Sequence, residues 1–376
     1  MKGPDVNEDL MAGKVIDPDE GAVGVVLSSP AVANPNRSPL PVRTVGEWSD
    51  ADGADWLRDK PPARVWLATD VGKKGVLSRA VVAILASAGG VGKTFALCEL
   101  AILVAAGSTD TDHQRLWLDN LRVNGGRVLF IAGEESADEL RRRLHAVTAR
   151  LLSAKAEFPA ALLDDVRRRL VVVPSAGMTD LPLLEADGGR NLRRSHRHAE
   201  IEAALKAGDE PFALVIVDPL ARWAAGEIDK DNAAACAVIS ALEAFIPAGA
   251  REGKPGPCVL VAHHTSKAGR TGEIADDASK IRGASALTDN ARWAALLEAG
   301  EADDEVSFAV VKSNYGLKAR FKLARGDHGV LRGATASDVE RWKAEKAKKK
   351  AEEKAEPKAE GKGKGGGTPT TKLEAD

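Results

Sequence analysis

Ser87-Ala88-Gly89-Gly90-Val91-Gly92-Lys93-Thr94 follows the apolar run Ala80–Ala86 (AVVAILA) and opens a helical pattern over Thr94–Ala106. A glycine-rich turn between a strand and a helix lets backbone N–H groups face inward as an anion nest. The positive end of the helix dipole adds to the same site. In that context Lys93 is expected to reach the β- and γ-phosphates of a nucleotide and the Thr94 hydroxyl to ligate Mg²⁺. The predicted nucleotide-contacting set is Gly89, Gly90, Val91, Gly92, Lys93, Thr94 and Phe95. The first position of the usual pattern is Gly; here it is Ser87, and the GGVGKT core is intact.

Two further acids follow apolar runs. FALVIVDPL ends its run at Asp218, where an acid at the C-terminal edge of a buried parallel strand faces the ligand crevice and can hold the Mg²⁺ water shell. A helix N-cap is the plainer role for the same residue. RVLFIAGEES places Glu134 and Glu135 just past a strand. A carboxylate there can orient and deprotonate an attacking water. Glu134 is the better candidate because it comes first; both also suit a first helical turn.

VLVAHHTSK sets His263 and His264 at another strand end. Neighbours on an extended chain point in opposite directions, so a shared metal is disfavoured. One of the two is expected to face the nucleotide and report loss of the γ-phosphate; an ordinary polar strand end is the alternative. The polar segment 266–283 is long for a plain connection. Its Lys267, Arg270 and Lys280 are candidates for a nucleic-acid backbone, against a solvated loop with no ligand. Arg292 precedes a probable strand and is a candidate for an arginine supplied to a neighbour's site. Arg282 and Lys312 compete for that role.

Further apolar runs read as strands at Arg127–Ala132, Arg169–Val173, Phe212–Val217, Val259–Ala262, Ala294–Glu298 and Val306–Lys312, with helical stretches at Ala137–Ala154, Arg197–Lys206 and Asn232–Ala248. The first five strands are nearly continuously apolar, as in strands covered on both faces. The alternation predicts an α/β fold with a mainly parallel sheet flanked by helices and antiparallel additions at the C-terminal end.

Residues 1–62 hold 8 of the 18 prolines and read as a mostly irregular extension, with a short ordered piece around Val42–Trp56. The core is expected over 63–333. From 334 the chain reads as a charged, largely disordered tail: Arg341 to Lys364 carries ten Lys/Arg against five Glu, and its run EKAKKKAEEKAEPKAE (345–360) favours helix locally but has no apolar face, so it should be solvated rather than packed. The chain as a whole has 376 residues, 44% hydrophobic and 29% charged, with net charge -2. That balance supports a sizeable core and excludes a wholly basic nucleic-acid coat. Three dispersed cysteines exclude a disulfide scaffold and suit a reducing cytoplasm. No run approaches 18 consecutive apolar residues, so no membrane role is expected.

Taken in order, ASAGGVGKT, FIAGEES with RRRLHAV behind it, VIVDPLAR, VAHHTSK, RGASALTDNARW and KSNYG resemble the RecA-like hexameric replicative helicase RepA of broad-host-range plasmids, and the wider group of RepA-like AAA-family ATPases. The resemblance spans about residues 80–316. It implies a RecA-like P-loop core, ATP and Mg²⁺ as ligands, a homo-oligomeric ring, single-stranded DNA as partner, and a replication initiator or primase as a further one. Residue by residue it implies Lys93 and Thr94 as the phosphate-binding pair, Glu134 as the catalytic glutamate and Asp218 as the magnesium-side aspartate. It further implies His264 as the γ-phosphate sensor, Arg292 as the trans arginine and Tyr315 as a residue near the neighbouring site. The N-terminal extension and the tail are not covered. A recombination or repair ATPase that coats DNA as a filament, and a slow regulatory switch that binds a protein, remain as competing readings.

Overall fold

The computed structural model describes residues 41–107, 116–153, 160–186, 192–224, 228, 230–265, 277–281 and 285–355. The chain divides into two units, Met1–Pro62 and Ala63–Asp376. In the first, the ordered piece expected around Val42–Trp56 is a helix, Val45–Asp52. Thr44 and Glu47 form a reciprocal capping box at its start, and Gly53 in the left-handed conformation ends it. Trp48 stacks on Trp56 with ring centroids 5.2 Å apart.

The second unit is built on a nine-stranded sheet: β1 Val82–Ser87, β2 Arg127–Ala132, β3 Leu170–Pro174, β4 Phe212–Asp218, β5 Cys258–His264, β6 Trp293–Ala299, β7 Glu305–Ser313, β8 Arg320–Arg325 and β9 Leu331–Gly333. Their order across the sheet is β9-β8-β7-β6-β1-β5-β4-β2-β3. The six strands from β6 to β3 run parallel, and β7, β8 and β9 add on antiparallel. This is the α/β class that the alternation of apolar runs predicts.

Both faces of the parallel strands are apolar because alternate residues enter different cores. Ala83 and Leu85 of β1, Val128 and Phe130 of β2, and Leu214 and Ile216 of β4 face one core. Val82, Ile84, Leu129, Ile131, Val215 and Val217 face the other. Helices α1 Lys93–Ala105, α2 Ala137–Ser153 and α3 Leu162–Arg169 cover the first face; α4 His196–Lys206 and α5 Asn232–Glu243 cover the second. The strand β3 departs from the expected double burial: Val172 and Val173 are exposed, at the edge of the sheet formed by the described residues. A four-stranded sheet of short pieces (Gly75–Ser78, Trp66–Thr69, Leu121–Val123, Leu116–Trp117) packs against α1, with the Trp117 indole donating to the Ala96 carbonyl at 2.8 Å. Strands of two to four residues leave too little period to read from sequence.

One stretch, Asn232–Gly249, is long and apolar enough to cross a membrane by length and composition. Its apolar residues Ala235, Val238, Ile239 and Leu242 are buried in the second core, which accounts for the composition.

The C-terminal helix, α6 Ala336–Ala355, takes in the first part of the charged run expected to favour helix, whose residues 347–351 are exposed, and is anchored ahead of that run. Trp342 is 1% exposed and packs with Ala302 and Ala324. Its indole donates to Asp304 at 2.7 Å, and Arg341 forks onto the same carboxylate at 3.1 and 2.6 Å. A single tryptophan supplies the apolar contact that the lysines around it lack. Trp342→Ala is expected to destabilise the unit by about 3–5 kcal/mol, and Trp342→Phe, which loses only the N–H donor, by about 1 kcal/mol. Denaturant midpoints measure both. Residues 356–376, which include the end of the predicted tail, lie outside the described residues.

Candidate functional site

The loop from Ala88 to Gly92 joins the end of β1 to the start of α1. It turns at Gly90 (φ 78°) and Gly92 (φ 112°), conformations that a side chain strains. A Cβ on Gly92 would also lie 3.2 Å from Leu331. Gly92 is the N-cap of α1 and makes no side-chain cap bond. The first N–H groups of the helix are therefore left for an external acceptor.

Lys93 is 8% exposed and lies in the field of Asp218 and Glu134. Burial pulls its ammonium below the usual lysine range, and the two acids oppose that shift. Asp218, 6% exposed at the end of β4, accepts the Thr94 hydroxyl at 2.8 Å. Burial raises its carboxyl, while Lys93 and the Thr94 hydrogen bond hold it down. A hydroxyl and a carboxylate side by side are oxygen donors suited to Mg²⁺. No group of three or more His, Cys, Asp or Glu able to cage a metal occurs among the described residues. The donors thus fit a cation held by one or two protein ligands together with substrate phosphates and water, which is the usual magnesium pattern.

The ends of β2 and β4 are tied by the Gly133 N–H donating to the Asp218 carbonyl at 2.7 Å. Glu134 follows and is exposed. Glu135 is turned away from solvent and paired with Arg143 at 2.8 Å. Burial raises the Glu135 carboxyl and Arg143 opposes the rise. Arg143 also bonds Glu139 at 3.2 Å and lies 5.4 Å from the centre of the Phe95 ring. Of the two acids, Glu135 is engaged in an ion pair and Glu134 stands in open solvent near Lys93. Neither fact depends on a helix N-cap role.

His263 and His264 pair in register with Ala86 and Ser87 on the neighbouring β1. His263 is 2% exposed and His264 is half-buried, on opposite faces of β5. His264 thereby stands beside the first residue of the phosphate loop.

The remaining candidates sort away from this cluster. The Arg292 N–H donates to the Val82 carbonyl, at the far end of β1 from the phosphate loop. Val82 to Ser87 spans about 17 Å at a strand's rise per residue. Arg292 is exposed, and its carbonyl accepts from the Asn314 N–H. Tyr315, 45% exposed, follows at the same end with the Arg64 guanidinium 3.6 Å over its ring. Lys312 lies there too, but its ammonium donates to the Thr288 and Asp289 carbonyls at 2.9 and 2.7 Å. Its charge is spent closing the helix Ser285–Asn290. Lys280 ion-pairs with Glu298 at 2.9 Å. Lys267, Arg270 and Arg282 lie outside the described residues.

Two arginines at the site carry no sequence assignment. Arg143 lies in RRRLHAV, where both Arg142 and Arg143 are spaced to reach Glu139 and do so, so spacing alone does not choose between them. Arg325 donates to the Val91 carbonyl inside the phosphate loop at 3.2 Å from 234 residues away, and nothing local marks it.

Among solved structures, the RadB recombinase aligns at 13% identity and TM-score 0.42, covering 69% of this chain and 94% of its own. A DnaB-like replicative helicase, described with its interactions with primase, aligns at 14% and 0.43, over 68% and 58%. A third structure, described as an ATPase domain, aligns at 14% and 0.45, over 77% and 97%. A family model described as an AAA domain matches residues 47–270. With that model covering more than half its length, this chain belongs to the AAA domain family (AAA_25), and its α/β core is that of an ATPase.

Proposed function

We propose that the protein is a cytoplasmic, Mg²⁺-dependent ATPase of the RepA helicase type that works as a closed homo-oligomeric ring, hexameric by that resemblance, on single-stranded DNA. The observation that carries this reading is the separation of the candidate residues. Lys93, Thr94, Asp218 and His264 stand at the C-terminal ends of the parallel strands, with Glu134 just beyond. Arg292 and Tyr315 stand at the opposite end of the same sheet. An arginine about 17 Å of strand away cannot serve its own subunit's phosphates. A head-to-tail assembly brings one end against the other, and such a heterologous contact gives a ring where its rotation closes and an open filament where it does not.

In this reading Lys93 reaches the β- and γ-phosphates, the loop N–H groups cradle the α- and β-phosphates, and Phe95 lies at the edge of the nucleotide site. Thr94 and Asp218 would hold Mg²⁺, which when bound neutralises charge on the phosphate oxygens. Glu134 takes a proton from the attacking water. The His264 imidazole hydrogen-bonds the γ-phosphate and lets go of it after cleavage. Arg292 of the adjoining subunit stabilises charge that develops in the transition state. The segment after His264, with Lys267 and Arg270, contacts the DNA backbone. A replication initiator or primase would be the loading partner.

Single-stranded DNA is expected to stimulate ATP hydrolysis several-fold, with binding that weakens steeply as salt rises. Steady-state phosphate release at two salt concentrations, with the assembly mass measured alongside, tests this. No stimulation by DNA or RNA would remove the helicase reading. Open filaments on DNA, in place of closed rings, would favour a recombination ATPase.

A further inference from the structure

The loop that would hold phosphate is braced from the C-terminal end of the chain. The hairpin joining β8 to β9 meets it at three points. The Arg325 guanidinium donates to the Val91 carbonyl at 3.2 Å. The Leu331 side chain fills the space in which a Cβ on Gly92 would sit, 3.2 Å away. Gly329, in the left-handed conformation at φ 82°, brings the turn against Phe95, where a Cβ would lie 3.2 Å from the ring. The hairpin is itself fixed. The Gly326 N–H donates to the Val330 carbonyl at 2.8 Å, the Arg325 N–H donates to the Asp304 carbonyl at 2.8 Å, and Arg325 pairs with Leu331 in the ladder.

The Val91 carbonyl and the Gly92 N–H belong to one peptide unit. In a trans peptide they point in opposite directions, so a donor on the carbonyl commits the N–H to the other side. The unit joins Val91 to Gly92, and a flip of it rotates ψ of Val91 and φ of Gly92, which stands at 112°. Gly92 has no Cβ to resist its share of that rotation, so the glycine leaves open a flipped peptide that presents its carbonyl to a phosphate. A charge-assisted hydrogen bond to the carbonyl opposes that flip and polarises the N–H at the other end of the unit.

We infer that Arg325 is a positioning residue for the phosphate site, which locks the Val91–Gly92 peptide with its N–H turned toward the phosphates. The inference rests on the reading that the Ser87–Thr94 loop binds nucleotide phosphates. Arg325 itself touches no phosphate. Its effect falls on groups that ADP and ATP share, and it leaves the chemistry of the γ-phosphate alone.

The test compares full-length wild type, Arg325→Ala, Arg325→Met and Arg325→Lys by displacement of a fluorescent ADP analogue with ADP and with ATP. Arg325→Ala and Arg325→Met are expected to weaken both nucleotides alike, by about 10-fold, with kcat at saturating ATP within about 2-fold of wild type, as loss of shared binding alone requires. Arg325→Lys, which keeps a charged donor, recovers most of the affinity. A purely structural arginine lowers the melting temperature of the nucleotide-free protein and leaves affinity unchanged, and that result overturns the inference. So does a loss for ATP much larger than for ADP, because it places the guanidinium on the γ-phosphate. Arg325→Met retains the apolar stem and serves if the alanine variant does not fold. Lys93→Ala is the control for the underlying reading. If it binds both nucleotides as wild type does, the phosphate-loop assignment itself fails, whatever Arg325 does.

Discussion

Lys93→Ala is expected to lower kcat/KM for ATP hydrolysis by at least about 10²–10³-fold, the scale for removing one preorganised charge from a transition state. The environment of Lys93 explains why the loss should be large. The ammonium is buried in the field of Asp218 and Glu134, and it comes ahead of Arg143 among the cations that offset Asp218. Without it, a triphosphate would meet those acids with less opposing charge beside them. Lys93→Arg keeps the charge but replaces a compact ammonium with a wider planar group, so only partial recovery is expected. Phosphate release under saturating nucleotide measures the effect, with circular dichroism to show that the fold survives. Turnover within about 10-fold of wild type in Lys93→Ala would remove the phosphate-loop assignment.

Arg292→Ala alone is expected to cost roughly 10³–10⁵ in turnover, the range for an arginine supplied in trans to phosphoryl transfer. Glu134→Ala alone should be comparably poor, because it removes the proposed base. A mixture of the two inactive variants should regain activity. At some interfaces an intact Glu134 and Lys93 from one subunit then meet an intact Arg292 from the next. The structure makes the experiment decisive, since Arg292 sits at the other end of β1 from its own phosphate loop. A cis role would require the strand to be crossed, so a mixture that assembles normally and stays inactive would sink the trans assignment. Lys312, the competing cation at that end, is bound to two backbone carbonyls. Lys312→Ala should therefore act mainly through stability, which a thermal melt alongside the turnover assay would separate.

The central strands were legible because each is a run of apolar residues long enough to be buried on both faces, with helix-like stretches between them. Asp218, Glu134 and His264 could be proposed from sequence for the same reason: each is a polar residue at the end of such a run. Other features had no local mark. The four-stranded sheet beside α1 is made of pieces too short to show alternation. The docking of α6 depends on one tryptophan in a lysine-rich stretch. Lys280 and Lys312 looked like available cations, but their partners Glu298, Thr288 and Asp289 could be known only from the folded chain.

Sequence alone marked the core strands, most of the helices between them, the glycine-rich loop after β1 and the set of polar residues at strand ends, because these depend on residue types within a few positions. Tertiary structure decided which of those residues meet. It put Thr94 on Asp218, 124 positions apart. It engaged Glu135 with Arg143 while leaving Glu134 exposed, and it sent Arg292 to the far end of the sheet. It also brought Arg325 onto Val91 from 234 residues away. Contacts at that separation arise from strand order and register, which no window of sequence contains.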